Sequence, residues 1–111
     1  MYKLYGIPNC DTVKKARNYL DKNEITYEFV NFKKDSVDLE MIKRWKNFVG
    51  DWPVNKRGRT YRELKDDFED SSDSQKMAMI QENTSLIKRP VLEKGKKVMC
   101  LGFELDIFNN L

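Results

Sequence analysis

The sequence predicts an α/β domain: a β-α-β opening, a helical insertion and a β-β-α close, with the strands forming one mixed four-stranded sheet. Three observations carry this reading. An aromatic and aliphatic run at residues 2–7 stops at Pro8, and Val13, Ala16 and Leu20 then recur at helical spacing. Ile25, Tyr27 and Phe29 alternate with Thr26, Glu28 and Val30, the pattern of a second strand that runs out in Phe32 and the polar residues 33–35. Two short apolar runs, residues 90–93 and 97–101, flank Lys94-Gly95-Lys96, where glycine accepts a positive φ, so they pair as an antiparallel hairpin. Strands joined through a helix by short connections are parallel and right-handed, which makes the first pair parallel.

The elements follow in order. The first helix begins after Asn9 and Cys10, with Asp11 in its first turn and Lys22 in its last, matching the helix dipole at both ends. Ser36 is expected to cap a second helix whose apolar side carries Met41, Ile42, Trp45, Phe48 and Val49, with Gly50 ending it before Trp52 and Pro53. Residues 50–59 read as a loop. Thr60 and Glu63 fit a capping box, with Tyr61, Leu64 and Phe68 on one face of the helix they open. The polar residues 70–74 predict a break, and Met77 and Ile80 mark a further short helix ending near Asn83. Leu105, Phe108 and Leu111 predict a closing helix after Gly102.

The 111 residues have room for one domain, and 40% apolar against 35% charged residues supply a core and a charged surface. No apolar stretch exceeds four residues, against about 20 for a membrane span and roughly 7 to 15 for the core of a signal peptide. The chain is therefore expected to be soluble, cytoplasmic and without membrane contact. Lysine and arginine number 21 and aspartate and glutamate 18, interspersed, which does not argue for nucleic acid. Two cysteines without a CxxC are too few for a disulfide framework, and with no histidine the usual zinc sites cannot be assembled, so no metal is expected. The missing histidines also exclude every Ser/His or Cys/His scheme, leaving cysteine, carboxylate, lysine, arginine and hydroxyl groups for any chemistry.

Cys10 is the most informative residue. It stands between a strand and the first turn of a helix, where unpaired backbone N–H groups and the positive end of the dipole favour a thiolate. Such a sulfur is a nucleophile; packing as a small hydrophobe is the bland alternative. Val13 occupies the place of the second cysteine of a dithiol motif, so a reactive Cys10 acts alone and needs an external thiol to resolve its adduct. Cys100 lies in the apolar run 98–101 and is expected to be a buried, inert thiol. Lys56, Arg57, Arg59 and Arg62 place four cations around Gly58, either a solvated loop or an attractor of carboxylates and oxyanions. Trp45, Phe48 and Trp52 are expected to serve core and helix-end packing.

Tyr5-Gly6-Ile7-Pro8-Asn9-Cys10-Asp11-Thr12-Val13-Lys14-Lys15-Ala16-Arg17, Asn55-Lys56-Arg57-Gly58-Arg59-Thr60-Tyr61-Arg62, Leu86-Ile87-Lys88-Arg89-Pro90-Val91-Leu92 and Gly102-Phe103 together resemble the ArsC family, most closely its YffB branch. The resemblance implies a thioredoxin-like fold over residues 1–111 as a single domain, with the helical insertion at about 36–84. In that fold the proline before the hairpin is cis and faces the active cysteine, which implies that Pro90 and Arg89 lie beside Cys10. Cys10, Arg89 and Thr12 are the implied catalytic residues, and Asn9, Asp11, Asn55, Arg57 and Pro90 the implied substrate contacts.

The family contains arsenate reductases, Spx-type regulators that bind RNA polymerase, and YffB-like proteins proposed to be glutathione-dependent thiol reductases. Arsenate reductases use three arginines, of which only Arg89 is matched; Asn55 and Leu101 stand at the other two positions, removing bidentate, charge-assisted hydrogen bonds to an oxyanion. Spx proteins usually carry a CxxC switch, which Val13 breaks. The resulting expectation is a monomeric monothiol reductase with no bound cofactor. Glutathione is the expected co-substrate, or a glutaredoxin-type protein the reductant, and the substrate is a disulfide or another small molecule. A glutathione- and glutaredoxin-coupled arsenate reductase and an Spx-like protein-binding regulator are the alternatives.

Overall fold

Each strand of the sheet can be traced to a run of alternating or continuous apolar residues, and the computed structural model describes all residues 1–111. The order is β1 (Tyr2–Gly6), α1 (Asp11–Lys22), β2 (Tyr27–Asn31), α2 (Leu39–Val49), α3 (Arg59–Asp70), α4 (Asp73–Glu82), a 3-10 turn (Thr84–Leu86), β3 (Val91–Lys94), β4 (Lys97–Leu101) and α5 (Leu105–Phe108). The chain forms two compact units, one of residues 1–35 with 89–111, the other of residues 36–88.

In the sheet unit the strand order is β2-β1-β3-β4, with β1 parallel to β2 and antiparallel to β3, and β3 and β4 joined as the expected hairpin. Lys94 pairs with Lys97, which leaves Gly95-Lys96 as a two-residue turn, and Gly95 takes the positive φ of +64° such a turn demands. Leu4 of β1 pairs with Leu92 of β3. Strand alternation sends both to one face, where they pack with Ala16 and Leu20 of α1, Cys100 of β4 and Phe108 of α5. Phe103 and Phe108 close this core edge-to-face at 4.8 Å. Of the three apolar positions expected in the closing helix, Phe108 is buried while Leu105 is 51% exposed, because α5 is a single turn. On the opposite face of the sheet the Tyr5 hydroxyl donates to Oε1 of the buried Glu93 at 2.9 Å.

The helical unit departs from expectation at two helix starts. The second helix is capped by Asp38, not Ser36: the Asp38 carboxylate accepts from the Met41 N–H at 2.8 Å, a stronger, charged acceptor nearer to the apolar stripe. The capping box expected at Thr60 and Glu63 is absent. Helix α3 starts at Arg59 with Gly58 as its N-cap, so Thr60 lies inside the first turn, and Glu63 pairs with Arg59 at 2.9 Å instead. A capping box does open α4, where Ser72 Oγ accepts from the Gln75 N–H and the Gln75 side chain accepts from the Ser72 N–H at 3.0 Å. The polar break accordingly narrows to Ser71 and Ser72.

Helix α2 buries Ile42 and Trp45 but leaves Phe48 and Val49 exposed, against expectation. Phe48 sits about a third of a turn around the helix from Ile42, and Val49 is the last residue before Gly50 turns the chain away at φ +81°. Trp52 packs edge-to-face on Phe68 at 6.0 Å, with the Lys46 ammonium 4.8 Å over its ring. The stretches around Val54 and Ile87 form an antiparallel bridge, fixed by Asn55 N–H to Leu86 O at 2.8 Å and Lys88 N–H to Pro53 O at 3.1 Å.

Candidate active site

The end of β1 and the start of α1 are held together by the absence of a side chain. A Cβ on Gly6 would stand 2.7 Å from Cγ2 of Val13, a contact real structures do not show, so glycine lets the strand end lie against the first turn of the helix. Residues 7–10 then turn tightly, with the Cys10 N–H donating to Ile7 O at 3.2 Å. Cys10 itself is extended (φ −88°, ψ 126°), and its carbonyl accepts the first helical bond, from Lys14 N–H at 3.0 Å. It is the N-cap of α1, as the sequence placed it.

The thiol is half-buried and makes no cap hydrogen bond as it stands, yet its surroundings favour the thiolate. Burial is the largest single influence and pushes the pKa up. The backbone N–H of Val13, the Arg89 guanidinium acting both as hydrogen-bond donor and as charge, and the backbone N–H of Thr12 together outweigh it, and the pKa falls below the ordinary 9.0. Thr12 and Val13 are the second and third residues of the helix, whose amides have no partner within it and point outward at the cap.

Arg89 and Pro90 immediately precede β3, and the Arg89–Pro90 peptide is cis. Pro90 is buried, and its carbonyl accepts from the Gly102 N–H at 2.7 Å, tying this corner to the end of β4. Of the residues singled out from the sequence, Cys10, Thr12 and Arg89 meet around one sulfur. Asn9 and Asp11 flank it and are exposed. Thr12 acts through its main-chain N–H, and Val13 joins it in the same way, although the sequence pointed to Val13 as a core position of the helix and as the residue in place of a second cysteine, not as a donor to the sulfur. The signal was available: once Cys10 is placed at the N-cap, the residue three positions on supplies an amide to it whatever its side chain.

Asn55 and Arg57 belong to the helical unit, where Oδ1 of Asn55 accepts from the Arg57 N–H at 3.2 Å. Leu101 is buried, as is Cys100, whose thiol donates to Gly102 O at 3.5 Å within the sheet unit's core. Cys100 is a structural thiol, as expected.

The ArsC family model matches residues 5–110 of this sequence. The chain belongs to the ArsC family. A solved structure of the YffB protein has a TM-score of 0.85 at 34% identity, with 99% of this chain and 97% of that one covered. The crystal structure of a possible arsenate reductase from Streptococcus mutans follows it at a TM-score of 0.77 and 28% identity, covering 94% and 92%. Among sequence relatives, the global transcriptional regulator Spx of Streptococcus agalactiae is 30% identical over 96% of this chain and 79% of its own length. The fold of this ArsC-family chain is thus the thioredoxin-like α/β arrangement that the motif resemblance implied, and no helix in it is long and apolar enough to cross a membrane.

Proposed function

We propose that this ArsC-family protein is a monothiol reductase in which Cys10 is the nucleophile and glutathione the resolving thiol. The observation that carries the reading is the set of donors around Cys10, two helix amides and the Arg89 guanidinium, which lowers the thiol pKa against the opposing effect of burial. In the first step the Cys10 thiolate attacks one sulfur of a disulfide; the S–S bond breaks, a mixed disulfide with Cys10 forms, and the second sulfur leaves as a thiolate that takes a proton. Glutathione thiolate then attacks the sulfur bonded to Cys10, and the Cys10 thiolate departs. A second exchange between that product and glutathione completes the reaction: one disulfide and two glutathione molecules become two thiols and glutathione disulfide. The same donors that favour the attacking thiolate make Cys10 a good leaving group in the resolving step.

With Val13 at the third position after the nucleophile's own, no neighbouring cysteine competes for the mixed disulfide. The test compares wild type and Cys10→Ser in the glutathione-dependent reduction of bis(2-hydroxyethyl) disulfide. Loss of turnover in the variant supports the reading, and equal rates would refute it.

The 30% identity to Spx favours one competing reading, a chain whose surface binds a component of the transcription apparatus. Fold is shared across functions, so the two are separated at the bench. Capture of an RNA polymerase subunit from cell extract by both wild type and Cys10→Ser, with no turnover by either, would establish the regulator reading in place of the reductase. Asn55 and Leu101 at two of the three arginine positions of arsenate reductases leave Arg89 as the one matched cation, which weighs against arsenate as substrate.

A further inference from the structure

The helical unit contains a cavity of about 460 Å³ lined by Val54, Asn55, Lys56, Arg57 and Lys88. Its two halves come from separate stretches of chain, and the bridge between Val54 and Ile87, with the Asn55-to-Leu86 and Lys88-to-Pro53 hydrogen bonds, fixes Lys88 relative to residues 55–57. The chemistry of the lining is one-sided. Lys56 is engaged by Asp51, 3.3 Å away, whose carboxyl is held below its usual range first by the Trp52 N–H and then by Lys56 itself, so this pair carries no net charge. Arg57 and Lys88 remain as two exposed cations. Oδ1 of Asn55 accepts from the Arg57 N–H, which leaves the amide Nδ2 of Asn55 as a further donor. Gly58 leaves room for that side chain, because a Cβ there would approach Asn55 Nδ2 to 3.1 Å and Asn55 O to 3.2 Å.

We infer that this cavity is a carboxylate-binding site in which Arg57 and Lys88 are the specificity-determining cations and Asn55 an accompanying donor, and that its ligand is a carboxylate of the peptide thiol. The identity of that ligand rests on the reductase reading above; the site itself rests on the cavity and its charges. Two uncompensated cations and an amide donor fit a carboxylate, which a guanidinium holds bidentately and an ammonium as a point charge. Lys88 had no role in the sequence reading, because only the bridge brings it to residues 55–57.

The test is a titration of the Cys10→Ser full chain with S-methylglutathione, which retains both carboxylates and cannot exchange, followed by amide NMR shifts. Arg57→Gln and Lys88→Gln are each expected to weaken binding roughly three- to tenfold, as exposed charge pairs do, with Lys65→Gln without effect. The dimethyl ester should bind no better than S-methylglutathione binds a protein carrying both Arg57→Gln and Lys88→Gln. Undiminished binding in Arg57→Gln and Lys88→Gln, or equal binding of the ester, overturns the site. Displacement of the peptide by an equal concentration of inorganic phosphate overturns the choice of a peptide carboxylate over a simple oxyanion. If disulfide reduction survives Cys10→Ser while the titration still depends on Arg57 and Lys88, the reductase reading falls and the carboxylate site stands.

Discussion

Replacing Gly6 by alanine tests whether the join between β1 and α1 is as tight as its geometry indicates. The added methyl would meet Val13 Cγ2 at 2.7 Å and Cγ1 at 3.1 Å, so it must be moved about 1 Å to reach ordinary contact. Val13 is completely buried and β-branched, which denies it a free rotamer to swing into, and the strain passes to the backbone of the helix's first turn. Overpacking of this kind costs about 1–3 kcal/mol, offset by the ~0.4–1 kcal/mol that alanine gains from a less flexible unfolded chain. A net loss of roughly 1–2 kcal/mol in urea unfolding is expected. Val13→Ala removes both clashing methyls and by itself costs about 2–3 kcal/mol through the cavity it leaves. In that background the Gly6 methyl enters the vacated space, so Gly6→Ala should cost close to nothing, a coupling of about 1–2 kcal/mol in the double-mutant cycle. A Gly6→Ala protein as stable as wild type, or a cost that persists with Val13→Ala, would refute the reasoning. Because Val13 N–H is one of the amides at Cys10, Gly6→Ala should also move the alkylation midpoint of Cys10 upward, and Val13→Ala should restore it.

Two further outcomes follow from the charges around the sulfur. Arg89→Met removes both a hydrogen-bond donor and a charge from Cys10, so the iodoacetamide alkylation midpoint should rise toward the ordinary 9.0 and the rate at neutral pH should fall, with Cys100 as the unreactive control in the same peptide digest; an unmoved midpoint would remove Arg89 from the site. Cys10→Ser reports the same balance through stability. A thiol whose folded pKa is lowered contributes stability that is fully present above the unfolded value near 9.0 and is lost as pH falls through the folded midpoint. Wild type should therefore gain on Cys10→Ser in urea unfolding as pH rises through that window, and a pH-independent difference would contradict the lowered pKa.

Much of this architecture was legible because it rests on local pattern. Val13, Ala16 and Leu20 marked α1, and all three are fully buried. Gly95 marked the hairpin, and the turn needed its positive φ. The errors fell where two local signals competed. Ser36 and Asp38 are both good N-caps, and Thr60 with Glu63 satisfies the capping-box pattern as well as Ser72 with Gln75 does; the choice was made by where the chain enters the helix, at Gly58, a tertiary constraint that no window of sequence contains. Phe48 and Val49 were misread for a related reason, since helical periodicity gives the direction of a face but not how far its neighbour extends along it. At the site, Cys10 was legible from its position between strand and helix, and Arg89 through the family motif. The cavity that includes Lys88 was not, because it depends on a bridge between residues 33 positions apart, Val54 and Ile87.

The position of Cys10 ties its reactivity to the structure of α1. Serine, threonine, asparagine and aspartate at an N-cap use the amides of the first turn and stabilise the helix by about 1 kcal/mol. The Cys10 thiol makes no such bond, so this helix begins without a side-chain cap, and its Val13 and Thr12 amides are completed only when the sulfur carries charge. Ionisation therefore caps the helix, and in the proposed reaction formation of a mixed disulfide, which removes the charge, would uncap it again. In that reaction the adduct would lack the stabilisation the thiolate enjoys, which would favour its resolution by an incoming thiol and return to the thiolate. Because the two amides belong to the main chain, that preference persists whatever side chains stand at positions 12 and 13, whereas Arg89 is the contribution that a single substitution can remove.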